Sequence, residues 1–339
     1  MAINNIISSV WSPSGAITPQ SAQELLDRTF IQRVFNPQWR KEQLGITVFT
    51  GVKTKIELSG LVAPKNFLRK KTAGCEPSYL GLNKSITDRS ITPENIRLRL
   101  EQCADEFEGT MYELGLNSGV ERADMRGTAV GTMIEQIILP AMESNITRLM
   151  FLGDTDNSND EATALDGYFK QFEDDSDVTK VNLGSLSSVG SAITGLEALY
   201  NAIDLSAVSR GIGDMRILMT YSYLRALQRD LAQTNVSSAA FTRIQENNLD
   251  TLFYLGIPII GIPDLDAALT DWYTVSGAVV NPDRAVLTTV GNLITVTDLE
   301  ADQGRVLVDY DNRLEVTMFK SDFKMGLGYK DPKAVVYQR

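Results

Sequence analysis

From Ala285 to Tyr337 the sequence runs in short apolar segments separated by turn residues, and this confines the last part of the chain to strands. The apolar segments are Val286-Leu287, Leu293-Ile294-Thr295-Val296, Val306-Leu307-Val308, Leu314-Glu315-Val316-Thr317-Met318 and Phe323-Lys324-Met325. Gly291-Asn292, Asp302-Gln303-Gly304, Asp311-Asn312 and Ser321-Asp322 read as the turns between them. Alternating residues turn one face of each strand to a core and the other outward, so the expectation is a closing antiparallel sheet. No segment here pairs a nucleophile with a base, clusters metal ligands or forms a phosphate loop. Such a sheet is expected to act through its surface.

The sheet needs a partner layer, and the sequence offers one. Val130, Met133, Ile134, Ile137, Ile138, Ala141, Met142, Ile146, Leu149 and Met150 recur at helical spacing. A helix from Glu121 to Phe151 would be roughly 45 Å long at 1.5 Å per residue. Pro140 is expected to kink it, since proline lacks the backbone donor and crowds the preceding turn. The methionine stripe reads as core, because methionine fills irregular gaps.

The chain has 339 residues, room for one large or two medium domains. Hydrophobic residues make up 43%, enough for a substantial core. There is no histidine, which excludes Ser-His-Asp and Cys-His catalysis and the common zinc hydrolase sites. The net charge of −11 argues against nonspecific binding to a polyanion, which needs a positive surface. Contact through a local basic patch stays open. Cys75 and Cys103 show no zinc or disulfide-framework spacing and read as free thiols. The first residues lack a basic n-region and no apolar run approaches a membrane span, so neither export nor a membrane partner is expected. No metal or other cofactor is expected.

Residues 1–45 read as a weakly packed arm. Thr18-Pro19 opens a short helix, and Trp11, Phe30, Phe35 and Trp39 are too sparse for a core of their own. These aromatics are expected to dock elsewhere, on the same chain or another. Residues 46–60 alternate as a strand, and Ile86 to Phe107 resumes the alternation. Between them lies an irregular basic loop with Lys65, Arg69, Lys70 and Lys71. A loop this long is usually functional or ordered by a partner. The cluster Arg69-Lys70-Lys71 has no aromatic platform for nucleic acid, and its open readings are solvated charge and a subunit contact.

Asp154, Asp156, Ser158 and Asp160 alternate like the start of a calcium loop. Asn159 stands where the sharp turn needs Gly, and Leu165 where a closing Glu is required, so a solvated polar turn is the better reading. Glu173-Asp174-Asp175-Ser176-Asp177 reads as a surface charge run. Residues 183–265 suggest an α/β unit: a helix over 189–203, a strand over 215–219, a helix over 221–231 and a strand over 252–262. Gly211-Ile212-Gly213 precedes its strand, the wrong order for a dinucleotide fingerprint. Pro258 and Pro263 mark the last strand as an edge or a strand end exposed to a neighbour.

The order of these parts resembles the major capsid proteins of tailed double-stranded DNA bacteriophages, with the Hong Kong 97-like coat fold. The residues that carry the resemblance are Leu149-Met150-Phe151-Leu152-Gly153-Asp154, Asp166-Gly167-Tyr168, Ile257-Pro258-Ile259, Ala285-Val286-Leu287-Thr288-Thr289, Asn292-Leu293-Ile294 and Phe319 to Gly326. The resemblance implies an α+β fold with an N-terminal arm at 1–45 and an extended loop with flanking strands at 46–100. A peripheral domain with a spine helix follows at 101–182, an axial domain at 183–265, and a return to the peripheral sheet at 266–339. It also implies a virion protein assembled in the host cytoplasm, with hexamers and pentamers of this chain closing an icosahedral shell. The implied partners are other copies of the chain, portal, scaffold or decoration proteins, and packaged double-stranded DNA held without sequence specificity. Trp11, Phe30, Phe35, Trp39, Lys65, Arg69, Lys70 and Lys71 become candidate interface residues, and no catalytic residue is expected. The alternatives are a bacterial nanocompartment shell of the same fold and a carboxylate-based hydrolase, for which no pair of acids is singled out by spacing.

Overall fold

The computed structural model describes residues 44–62, 85–108, 116, 123–204, 214–233, 241–246, 249–275, 278–298 and 306–339. In chain order, β1 (Thr47–Phe49), β2 (Ile56–Val62), β3 (Ser85–Ile91) and β4 (Glu94–Cys103) precede the long helix α1 (Ala129–Leu152) and the short helix α2 (Tyr168–Asp174). Next come β5 (Thr179–Val181), α3 (Ser191–Asn201), β6 (Met215–Thr220), α4 (Tyr221–Gln233), β7 (Phe241–Glu246), β8 (Leu249–Tyr254), β9 (Ile257–Ile262) and α5 (Pro263–Trp272). The chain continues through β10 (Thr274–Val275), β11 (Ala278–Val279), β12 (Ala285–Thr289), β13 (Leu293–Val296), β14 (Leu307–Asp311), β15 (Val316–Tyr329) and β16 (Val335–Gln338). Two compact units result, and α1 and β15 contribute residues to both.

In the first unit the described residues are 95–108, 116, 123–147 and 306–323. Helix α1 starts at Ala129, not Glu121, because Thr128 caps it: its hydroxyl accepts the Gly131 N–H at 3.1 Å and donates to the Met125 carbonyl at 2.7 Å. The helix runs on through Pro140 as one element of 24 residues. Ala104, Met125 and Val130 form a small core with Phe107, Leu116 and Ile134 packed around it. Strands β14 and β15 pair as an antiparallel hairpin from Leu307↔Lys320 to Asp311↔Val316. The turn expected at Ser321-Asp322 does not form, and β15 continues through it. The alternation survives there because Ser321 is small enough to lie buried in line with Thr317 and Phe319, while Asp322 faces outward.

In the second unit the described residues are 44–62, 85–94, those within 148–298, and 324–339. Its centre is a seven-stranded sheet in the order β5-β16-β12-β6-β9-β8-β7. Strands β6 and β12 lie in its interior, which is why Met215-Arg-Ile-Leu-Met-Thr and Ala285-Val-Leu-Thr-Thr are nearly continuous apolar runs. The sequence reading placed the tail in a separate sheet; strands 285–289 and 335–338 instead flank one another in the sheet built around β6. Leu196, Leu199, Tyr223 and Leu227 from α3 and α4 pack against Ile217, Met219, Ile259, Leu287 and Val336.

Two helix starts on this sheet are capped by carboxylates from neighbouring helices. The fully buried Asp230 accepts the Ala192 N–H at 2.9 Å, and Asp266 accepts the Tyr221 and Ser222 N–H groups at 2.6 and 2.9 Å.

The expected strand 252–262 is two strands, β8 and β9, folded on a two-residue turn. Leu255 and Gly256 both have positive φ, 48° and 84°, the backbone of the tight hairpin turn that matches strand twist. Strand β9 is therefore interior to the sheet and not an edge. Pro258 is tolerated there for a geometric reason. Tyr254 and Ile257 close the hairpin, so Phe253 and Pro258 form the next, non-hydrogen-bonded pair, and pairing with β6 begins only at Ile259. Pro263 is the first residue of α5, where a missing N–H costs nothing.

The second unit also holds β13 between β1, parallel to it, and the end of β15, antiparallel to it from Leu293↔Tyr329 to Val296↔Gly326. The expected strand 46–60 breaks at Gly51, whose φ is 81° and whose N–H bonds the Asp298 carbonyl at 2.8 Å. Strands β2 and β3 pair along their whole length, from Ile56↔Ile91 to Val62↔Ser85. They are the strands that the sequence reading placed on either side of the long basic loop. Ile91, Ile294 and Val296 form a core with Phe49, Val52, Ile56 and Leu58 around it.

Candidate assembly site

Trp11, Phe30, Phe35, Trp39, Lys65, Arg69, Lys70 and Lys71 all lie outside the described residues, as do Cys75 and Gly211-Ile212-Gly213. Cys103 is a partly buried free thiol. What the structure describes is the root from which the basic loop departs, and the helix and turn that hold that root.

The root rests on an aromatic platform. Tyr168, Phe169 and Phe172 of α2 are fully buried against Phe151, Tyr329 and Tyr337, with ring centroids 5.1 to 6.3 Å apart. Two glycines permit this. Gly167 donates its N–H to the Gly153 carbonyl at 2.8 Å, and a Cβ on Gly167 would lie 2.7 Å from the Gly153 nitrogen. The segments Phe151-Leu152-Gly153 and Asp166-Gly167-Tyr168 therefore touch backbone to backbone.

Arg89 on β3 ties the hairpin to this platform. Its Nη2 donates to Asp175 Oδ2 at 2.6 Å, its guanidinium carbon sits 4.5 Å from the Tyr329 ring centre, and the Tyr329 hydroxyl donates to the same Oδ2 at 2.5 Å. Burial works against the Asp175 charge, but the hydrogen bonds from Tyr329 and Arg89 outweigh it and hold this carboxyl below the usual range. Burial, then the bond to Asp175, pushes the Tyr329 hydroxyl up. Within the acidic run 173–177, Glu173, Asp174 and Asp175 are thus partnered and not merely solvated. Glu173 accepts Arg339 at 2.6 Å and the Tyr337 hydroxyl at 3.3 Å. Sequence reasoning missed these partners because they lie far away in the chain.

The calcium-like turn is occupied by a lysine. Lys170 Nζ stands 3.4 Å from Asp154, 3.0 Å from Asp156 and 3.8 Å from Asp174. Its hydrogen bond to Asp156 pushes its pKa up. The remaining side-chain oxygens fold the turn itself: Asp154 accepts the Asp156 N–H, Asn157 that of Asn159, Asn159 that of Glu161, and Asp166 both the N–H and hydroxyl of Thr155. Among the described residues no cluster of three or more His, Cys, Asp or Glu could hold a metal ion. The buried Asp230 caps α3, and the half-buried Asp283, raised by burial, accepts the Ser222 hydroxyl at 2.8 Å. In the first unit the Asp322 carboxylate takes both Arg97, at 3.3 Å, and Arg99, at 2.8 Å. Among the described residues no helix is long and apolar enough to cross a membrane.

No protein-family model matches the sequence, and no curated protein matches it. Solved structures do. A chain of the satellite phage P4 procapsid, a structure that includes the size determination protein, has a TM-score of 0.54 at 10% identity, over 91% of this chain and 92% of that chain. A capsid chain of an empty GTA particle has a TM-score of 0.53 at 11% identity, over 91% of each chain. The SrpI encapsulin of Synechococcus elongatus PCC 7942 has a TM-score of 0.51 at 12% identity, over 91% of this chain and 89% of that chain. The chain has the Hong Kong 97-like fold of phage capsid proteins.

Proposed function

We propose that this chain is the major capsid protein of a tailed double-stranded DNA phage, a structural subunit that acts through its surfaces and not by catalysis. The observation that carries the reading is the shared coat fold over 91% of the chain, at TM-scores above one half, with shell-forming proteins. Copies join head to tail through heterologous contacts that close into hexamers and pentamers. Each contact can be weak, because an added subunit meets several neighbours at once. Residues 1–45 serve as the arm and 46–100 as the extended loop with its flanking strands, both wrapping over neighbours and offsetting ordering entropy with buried area. Residues 101–182 form the peripheral domain with its spine helix, and 183–265 the axial domain. The segment 266–339 returns to the peripheral part through β14 and β15 and completes the axial sheet through β12 and β16. Trp11, Phe30, Phe35, Trp39, Lys65, Arg69, Lys70 and Lys71 meet neighbouring subunits. The acidic balance suits a container whose packed DNA must remain free to move, and portal, scaffold or decoration proteins complete the virion.

The similarity to an encapsulin supports a second reading, a nanocompartment shell that encloses protein. Negative-stain microscopy of the purified full chain tests both. Closed shells or capsomers are expected, and a stable monomer under all assembly conditions refutes the proposal. Nucleic acid inside particles from infected cells selects the phage reading, and protein cargo selects the other.

A further inference from the structure

The second unit contains a cavity of about 190 Å³ whose apolar walls are Leu152, Phe169, Tyr273 and Val280. Asp154, Lys170, Glu173, Arg284 and Arg339 bring charge to it. Four of these five charges are already paired, Glu173 with Arg339 and Asp154 with Lys170. Arg284 is the remainder. It is only 5% exposed, its Nε donates to the Asn281 carbonyl at 3.1 Å, and its guanidinium carbon lies 5.1 Å from the Tyr273 ring centre. Among the described residues no carboxylate meets it and no acceptor meets its two terminal nitrogens. Its terminal nitrogens open on the cavity, so the charge there is left to solvent and has no fixed counter-charge. The planar fork that remains open matches a carboxylate in two-point contact.

The surroundings select the source of that carboxylate. Val280 lines the cavity and is 43% exposed, and Val275, across the β10–β11 hairpin, is 62% exposed. A charged centre beside apolar residues that exclude water is the anatomy of a protein–protein hot spot. A free inorganic anion would satisfy Arg284 but leave both valines in water. Another copy of this chain brings 43 acidic residues against 32 basic ones, so its surface offers carboxylates in excess.

We propose that this cavity is a socket in which Arg284 receives an Asp or Glu side chain from a second copy of the chain, with Val275 and Val280 covered around it. The inference rests on the shell reading and deepens it. The test uses full-length wild type, Arg284→Gln and Arg284→Lys, with thermal melting of the free subunit, sedimentation of assembled particles across concentration, and a cryo-EM map of the wild-type particle. The socket predicts a neighbour's carboxylate at hydrogen-bond distance from the Arg284 terminal nitrogens. It also predicts an assembly threshold raised about tenfold or more in Arg284→Gln, and less in Arg284→Lys, at an unchanged subunit melting temperature. An empty socket, or a solvent anion in it, overturns the inference and leaves the shell reading standing. So does stabilisation of the free wild-type subunit, but not of Arg284→Gln, by inorganic phosphate without any change in assembly. Should Arg284→Gln fail to fold, the wild-type map alone decides. Failure of the wild type to assemble overturns both readings.

Discussion

The Arg89–Asp175–Tyr329 contact sets the most direct test of the fold's energetics. Asp175→Asn keeps the shape and removes the charge on which two donors converge, at 2.6 and 2.5 Å. Breaking a fully buried ion pair from one side costs about 3–5 kcal/mol. Here the side chains of Arg89 and Asp175 retain 24% and 18% exposure, so water recovers part of the loss, and about 2 kcal/mol is expected. Tyr329→Phe removes one donor and should cost about 1 kcal/mol. The double variant should cost less than the sum, because both changes remove the same bond. Urea unfolding followed by circular dichroism measures all three, and hydrogen exchange should show protection falling in β2 and β3, the strands that Arg89 ties down. The Asp175 carboxyl is held below its unfolded range, so its contribution is complete above about pH 4 and disappears as pH falls through the lower folded value. Wild type and Asp175→Asn should therefore differ fully at neutral pH and converge in acid. If Asp175→Asn lies within about 0.5 kcal/mol of wild type at pH 7, the clamp contributes nothing and the reasoning fails.

Gly167→Ala places a Cβ 2.7 Å from the Gly153 backbone nitrogen, which no rotamer change relieves, so soluble folded yield should collapse on expression. Leu255→Asn puts a residue suited to positive φ at a turn position now held by leucine at 48°, and should raise stability by about 0.5–1 kcal/mol in a thermal melt; a fall would argue against the turn. Lys170→Met leaves Asp154, Asp156 and Asp174 facing one another. Because Asp156 and Asp174 are largely exposed, the cost should be only about 1 kcal/mol at neutral pH and should shrink with added salt, which denaturation at two ionic strengths would show.

The long helix was legible because its apolar spacing is regular over many turns, and its methionines Met133, Met142 and Met150 are buried as expected. Its start was not, because Thr128 is a weak signal until its hydroxyl is seen to cap Gly131. The β8–β9 hairpin read as one strand for a related reason: its turn carries Leu255, an apolar residue in a backbone state where Asn or Gly is the usual sign. Ser321-Asp322 misled in the opposite direction, since two polar neighbours are equally consistent with a turn and with one buried and one outward strand position. Membership of the seven-stranded sheet could not be read locally at all, because β12 and β16 are as apolar as strands of any other sheet. The Arg89 clamp was hidden by distance: Asp175 lies 86 residues further along the chain, and Tyr329 lies 154 residues beyond Asp175.

The place of β16 bears on when the subunit can fold. This strand lies between β5 and β12 and pairs with both, Val336 opposite Thr179 on one side and Leu287 on the other. It is also the last of the sheet's strands along the chain. A ribosome making the chain in order therefore releases β5 and β12 long before the strand that joins them exists. Until residues 335–338 emerge, two open edges wait, and the buried Gln338, which accepts from the Tyr223 hydroxyl and donates to the Gly195 carbonyl, is missing from the core. Loop-closure entropy across more than a hundred residues must be met before that gap is filled, which makes it a slow, late step. The seven-stranded sheet therefore stays incomplete until synthesis has passed β16, and a partly made chain cannot reach the finished fold of this unit.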